Sequence, residues 1–191
     1  MRVLELAYVI ALGAGLGLAS AHYAVAERPV VGRAQIGAWT TWPKSGARDT
    51  DPYMRAYLAR GVHLPLGAGE GLQLIAERDD AGQPLDGRCR YSVTGLTPPA
   101  RGWSLAVADP ARRPLQLAVA RESFSDAELV RDERGGLRII AAATPEAGNW
   151  LPLPPSGRFQ FRLRLYDTPI SSHAGELRPE ALPRISRVDC R

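Results

Sequence analysis

The decapeptide "RFQFRLRLYD", residues 158–167, decides the fold class. Its apolar residues recur at every second position. Successive strand side chains point to opposite faces, so Phe159, Phe161, Leu163 and Leu165 share one face, and Arg158, Gln160, Arg162, Arg164 and Tyr166 share the other. A helix of this composition would scatter those apolar residues around its circumference. The same period of two recurs in "LQLIAE" (72–77), "RYSVTG" (90–95), "WSLAVAD" (103–109), "PLQLAVA" (114–120) and "LRIIAAA" (137–143), each of which reads as a strand. Turn-forming stretches separate them: "DDAGQPLDG" (79–87), "TPPARG" (97–102), "DPARRP" (109–114) and "DERGG" (132–136). Short strands with turn-rich connections predict a mainly β domain, an antiparallel jelly-roll-like β-sandwich over residues 51–191. One short helix interrupts the pattern: Asp51 supplies a cap, Pro52 suits the first helical position, and Gly61 stops it. Tyr53, Met54, Tyr57 and Leu58 give that helix an apolar face for packing on a sheet. Residues 27–50, with Trp39, Trp42 and Pro43, read as a linker and extended lead-in.

Residues 6–26, "LAYVIALGAGLGLASAHYAVA", hold no Asp, Glu, Lys or Arg. About 20 such residues cross a bilayer. Two readings stand: an uncleaved signal-anchor helix, or a signal peptide cleaved after Ala26 in the A-x-A site Ala24-Val25-Ala26. The length of the apolar run favours the anchor. Either one puts the domain outside the cytosol, on the periplasmic side of a bacterial inner membrane. Arg2 on one flank and Arg28 and Arg33 on the other leave topology undecided by charge. The glycines at 13, 15 and 17 follow no strand, so they are no dinucleotide fingerprint.

Outside the cytosol a lone cysteine pair is a disulfide candidate, here Cys89 with Cys190. The net charge of +4 is carried almost wholly by Arg, Lys44 being the one lysine, and the bases are interleaved with acids. That scatter excludes a nucleic-acid footprint. The function classes with sharp signatures also go unmet. Ser104 in "GWSLA" lies inside a strand, where a nucleophile elbow cannot form. His63 and His173 have no acid signature beside them. Asp79, Asp80 and Asp86 lack calcium-loop spacing and read as turn residues. No catalytic, cofactor-binding or metal-binding residue is assigned.

The stretch "NWLP" (149–152) followed by "FRLRLYDTP" (161–169) resembles the C-terminal signature of the domain-of-unknown-function 1214 family. "GAWTTWPKSG" (37–46), "DPYMRAYLARGVHLPLGAGEG" (51–71), "PLDGRCRYSVTG" (84–95) and "GWSLAVAD" (102–109) resemble its earlier blocks, so the resemblance spans most of residues 33–189. It implies a jelly-roll β domain. Family members often follow a companion domain of unknown function, family 1254, within longer chains, which here implies a separate companion protein. The resemblance carries no activity or catalytic residues. At "AVADP" (106–110) the usual aromatic is missing.

Two surfaces follow as candidates. Trp39, Trp42 and the helix at 52–60 could anchor a partner protein, although buried Trp is the commoner case. Arg158, Arg162 and Arg164, with Asn149 or Tyr166, could line a cleft for a small anionic or sugar-like ligand; a wet sheet face is the plainer reading. Trp150 is expected to plug the sandwich and Asn149 to bond backbone at the turn, with Pro152, Pro154 and Pro155 ending the sheet there.

Overall fold

The structure, a computed structural model, describes residues 2–26, 32–60, 65–111, 113–131, 135–170 and 176–190. Its order is α1 (Arg2–Ala26), β1 (Ala34–Ile36), β2 (Trp39–Thr41), α2 (Pro52–Arg60), β3 (Gly71–Ala76), β4 (Cys89–Gly95), β5 (Gly102–Ala108), β6 (Ser123–Ser125), β7 (Leu137–Ala142), β8 (Trp150–Pro152), β9 (Gln160–Tyr166) and β10 (Arg184–Cys190). A six-stranded sheet has the order β1-β2-β3-β9-β5-β6, and a four-stranded sheet the order β10-β4-β7-β8. This is the mainly β, two-sheet architecture that the alternation predicts.

The long strand β9 is the keel of the larger sheet, pairing antiparallel with β3 on one side and β5 on the other. Leu163 lies between Leu74 and Leu105, and Leu165 between Leu72 and Trp103. All six are buried. Burying each such side chain stabilises the fold by roughly 1.5–3 kcal/mol relative to leaving it in water. The smaller sheet supplies Tyr91, Val93, Ile139, Ala141 and Leu151 to the same core cluster. Tyr91 meets Phe159 edge-on with 5.7 Å between ring centroids, and Phe159 meets Phe161 at 5.1 Å, so aromatic rings join the two layers.

Four expectations need correction. Residues 34–41 are no linker: Ile36 pairs with Trp39 across a two-residue turn, and β2 then pairs with β3. Gly37 makes the turn possible, with φ of 58° in the left-handed region. Residues 114–120 form no strand, although Leu115, Leu117 and Val119 alternate correctly. The place beside β5 belongs to β6, whose buried Phe124 fills the core edge, and Val119 is left exposed. The sheets are not wholly antiparallel, because β8 runs parallel to β7. A tight parallel connection is feasible since β8 is three residues long and begins beside the middle of β7. Finally, Trp150 does not plug the sandwich. Period-two geometry sends Leu151 inward, fully buried, and Trp150 to the outer face.

Cys89 and Cys190 face each other across β4 and β10 and form a disulfide over a sequence separation of 101 residues. The C-terminal strand has further ties. Asp80 donates its backbone N–H to the Ile185 carbonyl at 2.9 Å. The Asp80 carboxylate accepts the Ile185 N–H at 2.8 Å. Arg90 clasps Glu146 at 3.2 Å and Asp189 at 2.7 Å beside the disulfide. Gly87 permits the close approach of the 154–157 turn: an added Cβ would sit 2.1 Å from the Pro154 carbonyl oxygen.

Asp51 caps α2, accepting the N–H groups of Tyr53 at 2.9 Å and Met54 at 3.2 Å. Gly61, expected to end α2, lies outside the described residues, as do His63 and His173. α1 is apolar and long enough to cross a membrane, and its side chains from Arg2 to Tyr23 are all exposed.

Candidate functional site

The outer face of the larger sheet carries the chemistry that the sequence places opposite the core. Strand register aligns Gln73 and Ser104 with Arg164, and Ile75 and Ala106 with Arg162. The Arg164 guanidinium donates to the Gln73 side-chain carbonyl at 3.0 Å, and the hydroxyls of Ser104 and Tyr166 lie 3.4 Å apart. Ser104 is therefore a mid-strand hydroxyl beside a phenol. This face is not uniformly wet: Gln160 is 0% exposed and Ile75 8%. Arg162 and Arg164 are half-buried.

Cover at the β2–β3 end leaves a groove of about 700 Å³, bounded by Trp42, Tyr57 of α2, Ile75, Thr40 and the turn at Pro110–Ala111. Arg33, Gln35, Glu77, Arg78, Asp79 and Asp80 supply its polar rim. Parts of that rim are already engaged. Arg78 donates to the Gly82 carbonyl at 2.9 Å. Asp79 accepts the Gln83 N–H at 2.8 Å and lies 3.0 Å from the Arg187 guanidinium. Burial is the main influence on Asp80 and lifts its carboxyl above the ordinary 3.8, against the opposing pull of the Ile185 N–H and Arg184. Among the described residues no group of three or more His, Cys, Asp or Glu is placed to hold a metal ion.

The candidate residues sort by place. Arg162, Arg164 and Tyr166 share the outer face of the larger sheet. Arg158 is exposed, and its backbone forms an isolated β-bridge with Asp86 in the turn, four residues and about 13 Å of strand from Arg162. Asn149 and Trp150 belong to the far edge of the smaller sheet, so the sandwich does not assemble Asn149 with the arginines. Asn149 accepts the Val130 N–H at 3.0 Å and donates to the carbonyls of Val130 at 2.7 Å and Arg138 at 2.9 Å. The Trp150 indole donates to the Ala142 carbonyl at 3.0 Å. Trp39 is 1% exposed, and its indole donates to the Pro183 carbonyl at 2.7 Å, which removes it from any partner surface. Trp42, three residues on, faces the groove. Alternation assigns Gln73, Gln160 and Ile75 to this face, but nothing local in the sequence says that α2 and the Pro110 turn cover part of it.

With the geometry in place, comparison with known proteins gives the family. The family described as "Protein of unknown function (DUF1214)" matches residues 70–170, more than half of the chain. The chain belongs to the DUF1214 family. The match takes in β3 through β9, hence the keel of the larger sheet, and leaves β1, β2, α2 and β10 outside it. No curated protein matches this DUF1214 chain significantly. A similar solved structure is the VPA0106 protein from Vibrio parahaemolyticus, with 23% identity and a TM-score of 0.60, covering 74% of this chain and 36% of that one. A putative uncharacterised protein from Burkholderia cenocepacia has 22% identity and a TM-score of 0.44, covering 78% of this chain and 47% of that one. The Vibrio likeness is one of fold. The DUF1214 chain spans about a third of the Vibrio protein's length and about half of the Burkholderia protein's.

Proposed function

We propose that this DUF1214 protein is a membrane-anchored β-sandwich of the bacterial periplasm that works by binding a separate protein chain, without catalysis of its own. The observation that carries the reading is α1, an apolar helix of 25 residues whose described side chains up to Tyr23 pack on nothing in the domain. A helix hydrophobic all round needs a lipid or protein environment. The disulfide supports an oxidising compartment, since cytosolic thiols are kept reduced. The binding surface is the groove at Trp42, Tyr57 and Thr40, where aromatic side chains sit within a polar rim, the usual make-up of an interface core. The partner is a chain resembling the companion family 1254.

A second reading has one observation in its favour. The groove volume, about 700 Å³, falls within the range of small-molecule sites. A small anionic or sugar-like ligand would then meet Arg33 and Arg78 at the rim rather than Arg158, Arg162 and Arg164.

Site-specific photo-crosslinking in intact cells tests both. A crosslinker at Gln35 or Thr40 should capture one protein of defined mass, and a crosslinker at Arg138, on the other sheet, should not. Equal capture from both positions, or none from the groove, contradicts the protein-partner reading. Binding of a small ligand with quenching of Trp42 fluorescence and no protein adduct would favour the second.

A further inference from the structure

We infer that α2 and the turn before it rest on the surface of the membrane that α1 enters and bind its anionic phospholipid headgroups. This rests on the reading of α1 as a membrane anchor. Three features place and equip the surface.

The first is position. α1 and α2 are in contact. Every described α1 side chain from Arg2 to Tyr23 is exposed, and Ala24 is half-buried, so the contact lies at the C-terminal turn of α1. A 25-residue helix is about 37 Å long, somewhat more than the hydrocarbon core. Its C-terminal turn therefore emerges at headgroup level, and α2 is held there with it.

The second is composition. On α2, Met54 is buried towards the domain, while Tyr53 is 51% exposed and Arg55 and Arg60 are exposed. Lys44 and Arg48, in the preceding turn, are exposed as well. Arg55 spends one nitrogen on the Thr50 carbonyl at 3.0 Å and is otherwise exposed. Two acids oppose these four bases: Asp49, paired with Lys44 at 3.4 Å, and Asp51, committed to the helix cap. The balance is cationic. Tyr23, 75% exposed near the end of α1, and Tyr53 on α2 are the aromatic type that settles at a membrane interface.

The third is shape. A recess of about 380 Å³ opens between Gly32, six residues after the end of α1, and the start of α2. Lys44, Ser45 and Thr50 stand beside the apolar walls of Trp42, Pro52 and Met54, and the two acids of this surface line the recess as well, Asp49 paired with Lys44 and Asp51 turned to the helix cap. A lone acidic-peptide site would have no use for those walls or for a place at the end of the apolar helix. A phospholipid, with a phosphate above and a glycerol and acyl chain below, matches both.

The test uses the full chain in lipid nanodiscs of phosphatidylcholine with and without phosphatidylglycerol, read by hydrogen exchange. With phosphatidylglycerol, amides from Tyr53 to Arg60 should exchange about tenfold more slowly, since each basic residue near an anionic surface contributes to the attraction. The protection should fade at high salt. Replacing Arg48, Arg55 and Arg60 together with Gln should remove the lipid dependence while β9 keeps its protection, which separates lost contact from lost folding. Equal exchange in both lipids, with α1 resistant to alkaline carbonate extraction, overturns this inference and leaves the anchor standing. Release by carbonate overturns both.

Discussion

Replacing Arg187 with Met tests how the C-terminal strand is held to the sandwich. The Asp79 side chain is 2% exposed and that of Arg187 is 29% exposed, with 3.0 Å between Oδ2 and Nε. Neither of those two atoms makes a hydrogen bond among the described residues, so their attraction is coulombic. Arg187 also donates to the Pro84 carbonyl at 2.7 Å and lies over the Tyr91 ring at 5.6 Å. Met keeps the apolar stem against Tyr91 and removes the charge. The largest cost is the stranded Asp79 carboxylate, about 3–5 kcal/mol for a buried pair broken on one side. The lost bond to Pro84 adds about 1 kcal/mol. Water reaches Arg187, which pulls the sum to the low end, about 4 kcal/mol. Converting Asp79 to Asn in the same chain removes the stranded charge and keeps an acceptor for Gln83, so the double variant should recover about half of the loss. Urea unfolding of the full chain in detergent micelles, with the disulfide intact and tryptophan fluorescence as the probe, should show a lower midpoint at unchanged slope. A cost below about 1 kcal/mol for Arg187→Met, or a double variant no better than the single one, would refute the reasoning.

Further outcomes follow from the same geometry. Cys190→Ser opens a link across 101 residues and should lower stability by up to about 4–5 kcal/mol, with the amides of Val188 and Asp189 exchanging first; coincident oxidised and reduced unfolding curves would argue against it. Asn149→Ala should cost about 1–3 kcal/mol and speed exchange of the Val130 N–H, because the side chain serves both backbone groups of Val130; an unchanged Val130 rate would show that the clasp is idle. Hydrogen bonds from the Arg88 side chain hold Asp86 below 3.8, so its contribution to stability is complete above 3.8 and disappears as pH falls through the lower folded value. Asp80 has the opposite sign: burial raises it, and the fold gains as pH falls through the raised value towards 3.8. Carboxyl NMR titration should find Asp80 titrating above Asp86, and the reverse order would contradict the burial argument.

How far the sequence could be read depended on where each signal resides. β9, β3, β4, β5 and β7 were legible because both sheets bury alternate residues, and alternation is local. Residues 114–120 carry the same signal, but an edge has room for one strand, and Phe124 fills it better than Val119. The hairpin at Gly37-Ala38 had a legible turn residue; the short flanking runs of polar and small residues hid it. β10 was obscured by its bulge between Arg187 and Asp189, which breaks the period and leaves Val188 exposed. β8 was masked by Pro152, acceptable there because β8 is an edge. For the site, alternation assigns Arg162, Arg164 and Tyr166 to one face. It cannot place Asn149 on the far sheet or bring Tyr57 over Ile75, since both depend on contacts between segments distant in sequence.

The proposed function needs the disulfide-closed sandwich to lie outside the cytosol, with α1 as its anchor. Its most direct test is peptide mapping of the full chain, alkylated without reductant and taken from the carbonate-resistant membrane fraction of the cells that make it. The account predicts one linked peptide pair containing Cys89 and Cys190, with no alkylated cysteine. Both thiols alkylated, or the chain found in the cytosolic fraction, would contradict it.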